Sequence, residues 1–246
     1  ARRRPPPRSR SDPGGPAMDP LPRRGDTRAV VPWIVLQLAD SAFPIGGFAH
    51  SGGLEALVAA RELDTLDAFC RALIDQQGRC ALPLVGAAWD APDRLAELDA
   101  RSRAILWSHV AARASRAQGR AMLDVTARAF GGPALTAARD RCVRGELDGH
   151  LAPAFGFTTR AVGVARDDAL AGFLHLALRG ALSAAVRLGV AGPTEAQALH
   201  LRLHPALDAA RALGARLGVD DIAQTAPLIE LFQTTHDQLY SRLFQS

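Results

Sequence analysis

The sequence predicts an all-α fold: a single-domain bundle of about ten helices over residues 29–246, behind a disordered Arg/Pro-rich segment over residues 1–28. Three observations carry this. From Pro32 onward, apolar residues recur at spacings of three and four, the period of a helix with one buried face. Aromatic residues make up only 5% of the chain while Ala and Leu dominate, a composition suited to helix packed on helix rather than to sheets. The stretches between periodic segments are short and hold the Gly, Pro, Ser and Thr that begin and end helices. At 246 residues the chain is long enough to bury a full core.

Pro32 opens a short apolar helix through Asp40, since a proline sacrifices no hydrogen bond at a first helical position. A Gly-rich loop runs from Ser41 to Ser51, and Ser51 is placed to cap a second helix through Leu54, Leu57 and Val58. Asp64 or Thr65 opens a third, with Leu66, Phe69, Cys70, Leu73 and Ile74 on one face. Pro83 and Pro92 interrupt the next stretch, and Pro92 begins a helix through Leu95, Leu98, Ile105, Leu106 and Val110. Another covers Met122, Val125 and Phe130 and stops at Gly131-Gly132-Pro133. A helix spans Leu135 to Val143, and a loop is expected around His150 to Gly156.

Asp167 and Asp168 then occupy the first turn of a long helix, where the dipole favours acids. It carries Leu170, Phe173, Leu174, Leu178, Leu182 and Val186. Gly192-Pro193-Thr194 separates it from a helix through Leu199, Leu203 and Leu207 that ends near Gly214 or Gly218. Pro227 starts the last helix, expected to run almost to Ser246. No strand pair and no internal repeat is apparent.

Charge and composition exclude several functions. The formal net charge is +4, but residues 1–28 hold eight Arg and three Asp, so the remainder is close to neutral at −1. No basic stripe interleaved with aromatics appears there, which argues against nucleic acid. Seven Pro and almost no large apolar residue in residues 1–28 leave too little surface to bury, hence the expectation that residues 1–28 are disordered and dispensable, with deletion of residues 1–17 leaving binding and stability unchanged. The apolar runs fall short of a membrane span, and no secretory pattern opens the chain. Cys70, Cys80 and Cys142 are odd in number and lack CxxC spacing, as suits buried thiols in a reducing cytoplasm. The chain contains no Lys, so it supplies neither a P-loop nor a Schiff base.

Three constellations stand out. The loop Phe43-Pro44-Ile45-Gly46-Gly47-Phe48-Ala49-His50-Ser51-Gly52-Gly53-Leu54-Glu55 either cradles a phosphate on free amides or lets helices approach closely, and it lacks the strand that a dinucleotide site requires. His50 and Glu55 within it form either an acid–base pair or part of the capping and packing. His200 and His204 stand four apart, a spacing able to hold a metal, but without the Glu of a metalloprotease or an evident third ligand. No GxSxG elbow marks a nucleophile. The C-terminal stretch has Leu228, Leu231, Phe232, Leu239 and Leu243 as an apolar stripe beside Tyr240, Arg242 and Phe244. Such a stripe docks either on its own bundle or on a partner, where Tyr and Arg anchor well.

Together these segments resemble the urease accessory protein UreF family. Leu36 to Glu55 looks like its leader pattern LLQL-DS-FP-G-F-HS-GLE, and His150-Leu151-Ala152-Pro153-Ala154-Phe155-Gly156 like its H-P-FG element. Ala185-Val186-Arg187-Leu188-Gly189 with Gly192-Pro193 and Gln197 is a further match. His236 to Ser246 is similar to its closing HE-LYSRLF-S, with Asp237 where Glu is commoner. The resemblance implies an all-α homodimer without catalysis of its own. It implies partnership with UreD/UreH, the GTPase UreG and apo-urease, with nickel and GTP handled by the complex and no cofactor or metal held tightly by this chain. The residues it points to for partner binding are Phe43, Pro44, Gly46, Phe48, His50, Ser51 and Glu55 in the loop, and His236, Tyr240, Ser241, Arg242, Leu243 and Phe244 in the tail. Two other classes stand beside it: a general all-α scaffold of unknown partner, and a small helical enzyme with a pocket at the His50 loop.

Overall fold

The computed structural model describes residues 33–246, and the expectation for residues 1–28 lies outside them. Twelve α-helical segments and no strand occur among the described residues. In order they are α1 (Trp33–Leu38), α2 (Leu54–Ala60), α3 (Leu66–Gln76), α4 (Leu82–Asp90), α5 (Leu95–Ile105), α6 (His109–Ala129), α7 (Pro133–Val143), α8 (Leu151–Ala161), α9 (Arg166–Arg187), α10 (Pro193–Arg202), α11 (His204–Gly214) and α12 (Pro227–Thr235). Thr65 and Ser108 cap α3 and α6 as short hydroxylic residues do, accepting from the amides of Ala68 at 3.1 Å and Ala111 at 3.3 Å.

Helix α9 runs through the middle, packed by α3, α4, α8, α10 and α11. Its Leu170, Phe173, Leu174, Leu178 and Leu182 are buried, and Phe155 of α8 meets Phe173 edge-on at 5.4 Å. At 22 residues α9 is long and apolar enough to cross a membrane by length and composition, contrary to the expectation from its apolar runs. Ten of its residues are buried in the protein core, which accounts for that apolar character. Helices α4 and α8 pack closely. A Cβ on Gly156 would sit 2.1 Å from the Val85 carbonyl oxygen, so glycine is what lets the two backbones touch.

Five expectations are corrected, each for a local reason. Pro83 does not interrupt the chain. The turn Gln77–Ala81 between α3 and α4 is a π-helix, in which the Leu82 amide reaches back to the Gln77 carbonyl. The Arg79 carbonyl, left without an amide by Pro83, accepts from Ala223 at 3.3 Å. The helix expected through Val110 breaks after Ile105, because Ser108 starts α6 afresh. The expected loop at His150 to Gly156 is the start of α8. The buried Asp99 carboxylate caps it, accepting from the amides of Asp148 at 2.6 Å, Gly149 at 3.2 Å and His150 at 2.7 Å. The helix through Leu207 is two helices, joined at Leu203 with Pro205 in the first turn of α11. Finally, α12 stops at Thr235, and after a short 3-10 turn at His236–Gln238 the tail is not helical.

Candidate functional site: a loop and tail clasped together

The Gly-rich loop and the C-terminal tail, the two segments singled out by sequence, lie against each other. After α1 the chain turns through a 3-10 segment, Gly47–Ala49, with Gly46, Gly52 and Gly53 in left-handed conformations at φ 75°, 63° and 94°. A Cβ on Gly53 would lie 3.0 Å from the Ile229 carbonyl of α12, while one on Gly52 would meet nothing within 4 Å. Gly52 is therefore demanded by its φ alone, and Gly53 by φ and close approach together. Gly53 thus serves the close approach of loop and helix, one of the two uses weighed for the glycines. Gly53 stands at the N-cap position of α2, and Ser51 Oγ accepts from the Glu55 amide in its first turn at 3.4 Å, as expected of a capping residue.

Glu55, in the first turn of α2, gathers the tail. Its Oε1 accepts from the Leu243 amide at 2.5 Å, and its Oε2 accepts from the Phe244 amide at 3.2 Å. His236 Nε2 lies 2.8 Å from Oε2, with its imidazole fully buried. Of the two readings of His50 and Glu55, the structure shows the packing one: Glu55 meets His236 and the tail amides rather than His50. His50 turns instead to Ser246, with Nδ1 2.6 Å from Oγ. Ser51 donates to the Ser246 carbonyl from its amide at 2.6 Å and its hydroxyl at 3.0 Å, and Gln245 donates to the Ala49 carbonyl at 2.8 Å. Burial, then the charges of Arg113 and His236, push the His50 pKa below the usual imidazole value.

A second ring of contacts comes from α6 and α9. Arg113 grips Asp237 with both terminal nitrogens, at 2.9 Å and 2.7 Å, and His109 Nε2 lies 3.1 Å from the same carboxylate. Hydrogen bonding from Arg113 holds the Asp237 carboxyl well below the usual carboxylate range, with His109 adding to it. Arg187 of α9 donates to the carbonyls of both Phe48 and Leu243 and lies over the Phe244 ring, 4.2 Å from its centroid. No local pattern in the sequence marks Arg113 or His109. Arg187 falls inside the Ala185 to Gly189 match, which said nothing of its direction.

The predicted site residues divide into two sets. Phe43, Ser51, Glu55, His236 and Phe244 are buried; the last four hold the clasp, while Phe43 stacks on Phe130 with centroids 6.3 Å apart. Pro44, Phe48, Tyr240, Ser241, Arg242 and Leu243 are exposed, Tyr240 completely, and Arg242 pairs with Asp237 at 3.2 Å. Gly46 and His50 are half-buried between the two sets. The expected apolar stripe is split in the same way, with Leu228 and Leu231 facing out and Phe232 packing against the core.

Beneath the loop lie two adjoining cavities of about 210 and 280 Å³, both lined by His50, Gly52, Leu73, Gln77, Gln118 and Phe173. Glu230 and Cys80 line the first. Burial pushes the Glu230 carboxyl up to about 6, with Gln76 donating to its Oε1 at 2.9 Å and Oε2 unpartnered. Burial, helped by the Glu230 charge, raises the Cys80 thiol to about 11, so it stays protonated and is a poor nucleophile at neutral pH. A second Ser–His contact joins Ser115 Oγ to His150 Nδ1 at 3.2 Å. His150 Nε2 is buried without a partner, and the nearby Asp99 carboxylate is committed to backbone amides. A base with no orienting carboxylate does not make a triad. No group of three or more metal-ligating side chains converges among the described residues.

Comparison with known proteins gives the family of the chain. The UreF family model matches residues 60–204. Urease accessory protein F of Arabidopsis thaliana is 33% identical over 221 residues, covering 87% of this chain and 92% of that protein. Urease accessory protein F of Oryza sativa subsp. indica is 34% identical, covering 86% and 84%. Urease accessory protein UreF of Paenarthrobacter aurescens is 30% identical, covering 85% and 96%. With a family model spanning more than half of its length and relatives this similar along most of it, the chain belongs to the UreF family of urease accessory proteins.

Proposed function

We propose that this protein is a non-catalytic adaptor in urease maturation, whose clasped loop and tail present the docking face for UreD/UreH. On this reading it joins UreD/UreH to the GTPase UreG, and the assembly delivers nickel to apo-urease in a GTP-dependent step. It works in the cytoplasm as a homodimer, holds no cofactor tightly, and modulates GTP hydrolysis by its partner rather than performing it. The absence of Lys supports that last point, because a P-loop needs one on the phosphates.

One observation carries the proposal. A buried carboxylate, Glu55, fixes the backbone of the tail while Phe48, Tyr240 and Leu243 are left in solvent. A backbone already fixed at Leu243 and Phe244 has less conformational entropy to lose on binding, which favours the exposed aromatic and aliphatic side chains beside it as anchors. Arg242, tethered to Asp237, adds a guanidinium at the same edge.

Co-purification of the full chain with UreD/UreH tests this. Tyr240→Ala and Arg242→Ala change exposed side chains, so circular dichroism should match the parent. Loss of a central anchor weakens binding by about thirtyfold or more, enough to remove the partner in a wash. Undiminished co-purification of both variants would refute the docking face. Deleting Leu239 to Ser246 is a poorer test, since it also removes buried Phe244 and leaves Glu55 without its amides.

A further inference from the structure

Three histidines from three helices meet on the side of the bundle formed by α9, α10 and α11. His175 of α9 packs edge-on against His200 of α10, with ring centroids 5.4 Å apart. His200 in turn meets His204, the first residue of α11, with Nδ1 of His200 3.2 Å from Nε2 of His204. The helix break at Leu203 lies between the two. His204 is exposed and opens onto a cleft of about 210 Å³ that it shares with Asp208, Arg211, Leu207, Leu174 and Ala171. Arg211 faces Asp167 at 3.5 Å, and Asp208 stands one turn beyond His204 on the same helix.

The separation of the two nitrogens is informative. Two imidazole ligands at the usual Zn–N length, about 2.0 to 2.1 Å, stand about 3.3 Å apart across a tetrahedral ion. The observed 3.2 Å is within a small side-chain movement of that bite. We propose that His200 Nδ1 and His204 Nε2 form a two-nitrogen site for a late first-row divalent transition ion. His175 is a positioning residue that fixes the His200 ring. Imidazole nitrogens favour such ions over Mg²⁺ and Ca²⁺, which seek oxygen. Water fills the remaining positions, because no third protein ligand converges there among the described residues, so the ion exchanges readily.

Proton balance needs no co-reactant. In the free protein one neutral imidazole donates its N–H to the other. With the ion bound, both facing nitrogens give lone pairs, and each ring keeps its single proton on its other nitrogen. This inference is independent of the docking face proposed above, which lies on other elements.

The test uses the full chain titrated with Zn²⁺, with Mg²⁺ as the control ion, by calorimetry in a non-chelating buffer. One Zn²⁺ per chain and no Mg²⁺ uptake is expected. His204→Ala, at an exposed position, should weaken Zn²⁺ binding by about tenfold or more with unchanged circular dichroism, as loss of a ligand exceeds the cost of losing its supporting partners. Ring ¹⁵N shifts should move at His200 Nδ1 and His204 Nε2 on Zn²⁺ addition. Absence of binding at millimolar Zn²⁺, full-strength binding by His204→Ala, or ¹⁵N shifts at other histidines instead would each overturn the site.

Discussion

Glu55→Ala should open the tail while leaving the bundle standing. In the parent protein Glu55 is almost wholly buried and holds three donors: His236 Nε2 at 2.8 Å, the Leu243 amide at 2.5 Å and the Phe244 amide at 3.2 Å. Its removal strands a buried imidazole and two amides. Leaving one buried donor unpaired costs about 1 to 3 kcal/mol. Leu243 is near solvent, so its amide finds water once the tail lifts, and about 3 to 4 kcal/mol is a reasonable net loss. That is a sizeable share of the roughly 5 to 15 kcal/mol that holds a domain together.

The loss is local, because the remaining backbone ties of the tail run to the loop, from Ser51 to Ser246 and from Gln245 to Ala49. Local opening therefore becomes cheaper than global unfolding. At 1.4 kcal/mol per decade, amide exchange at Leu243 and Phe244 should accelerate by a factor of about 10² to 10³. Amides of Leu174 and Leu178 on α9 should keep their protection, and helical circular dichroism should hold, since the tail beyond Gln238 is not helical. Glu55→Gln keeps one acceptor oxygen and should fall between. Unchanged exchange at the two tail amides would refute the clasp. Equal acceleration along α9 would show that Glu55 supports the whole bundle instead.

Two further outcomes are expected. Glu230 has a carboxyl raised from 4.5 to about 6, so its contribution to stability is complete below pH 4.5 and is lost as pH rises through 6. Glu230→Gln keeps the oxygen that Gln76 bonds and removes the penalty. It should raise the melting temperature at pH 7.5 by the equivalent of about 1 kcal/mol, allowing for water in the adjoining cavity, with no gain at pH 4.5. Equal gains at both pH values would contradict burial as the cause. At the loop, Gly52→Ala should cost about 1 to 2 kcal/mol through its left-handed φ alone. Gly53→Val should cost about 1 to 3 kcal/mol more, because its Cβ would press on Ile229. Chemical denaturation giving the two variants the same midpoint would remove the close-approach argument.

Where the sequence could be read, one local signal sufficed. Thr65 announces α3, and Asp167 and Asp168 announce α9, because a cap or a dipole partner acts within a single turn. Where it misled, the deciding contact came from far along the chain. His150 to Gly156 looks like a loop until Asp99, on α5, takes the amides of Asp148, Gly149 and His150 that lead into the helix, and Ser115 takes that of Leu151. Pro83 looks like a breaker until Ala223 satisfies the carbonyl it orphans. The tail looks like one amphipathic helix because Leu228, Leu231, Leu239 and Leu243 keep helical spacing. Glu55 instead takes the Leu243 and Phe244 amides that a helix would have used internally.

The same competition explains why the loop and the tail could be recognised separately but not seen as one site. Each is a motif of polar groups whose partners lie in the other. Ser51 and Glu55 have more hydrogen-bonding capacity than α2 requires, and the tail has amides and a Ser246 carbonyl with no helix to satisfy them. Buried polar groups must be paired, so the surplus on one side fixes the conformation of the other. A change in either segment therefore reaches the exposed edge at Phe48, Tyr240 and Leu243 without touching it. Ser51→Ala, for example, should loosen Ser246 and weaken co-purification with UreD/UreH, although Ser51 is buried and Tyr240 is fully exposed. Binding unchanged by Ser51→Ala would mean that the exposed side chains act alone. If the clasp is the proposed docking face, docking is sensitive to its interior, because the hydrogen bonds there set where the exposed side chains stand.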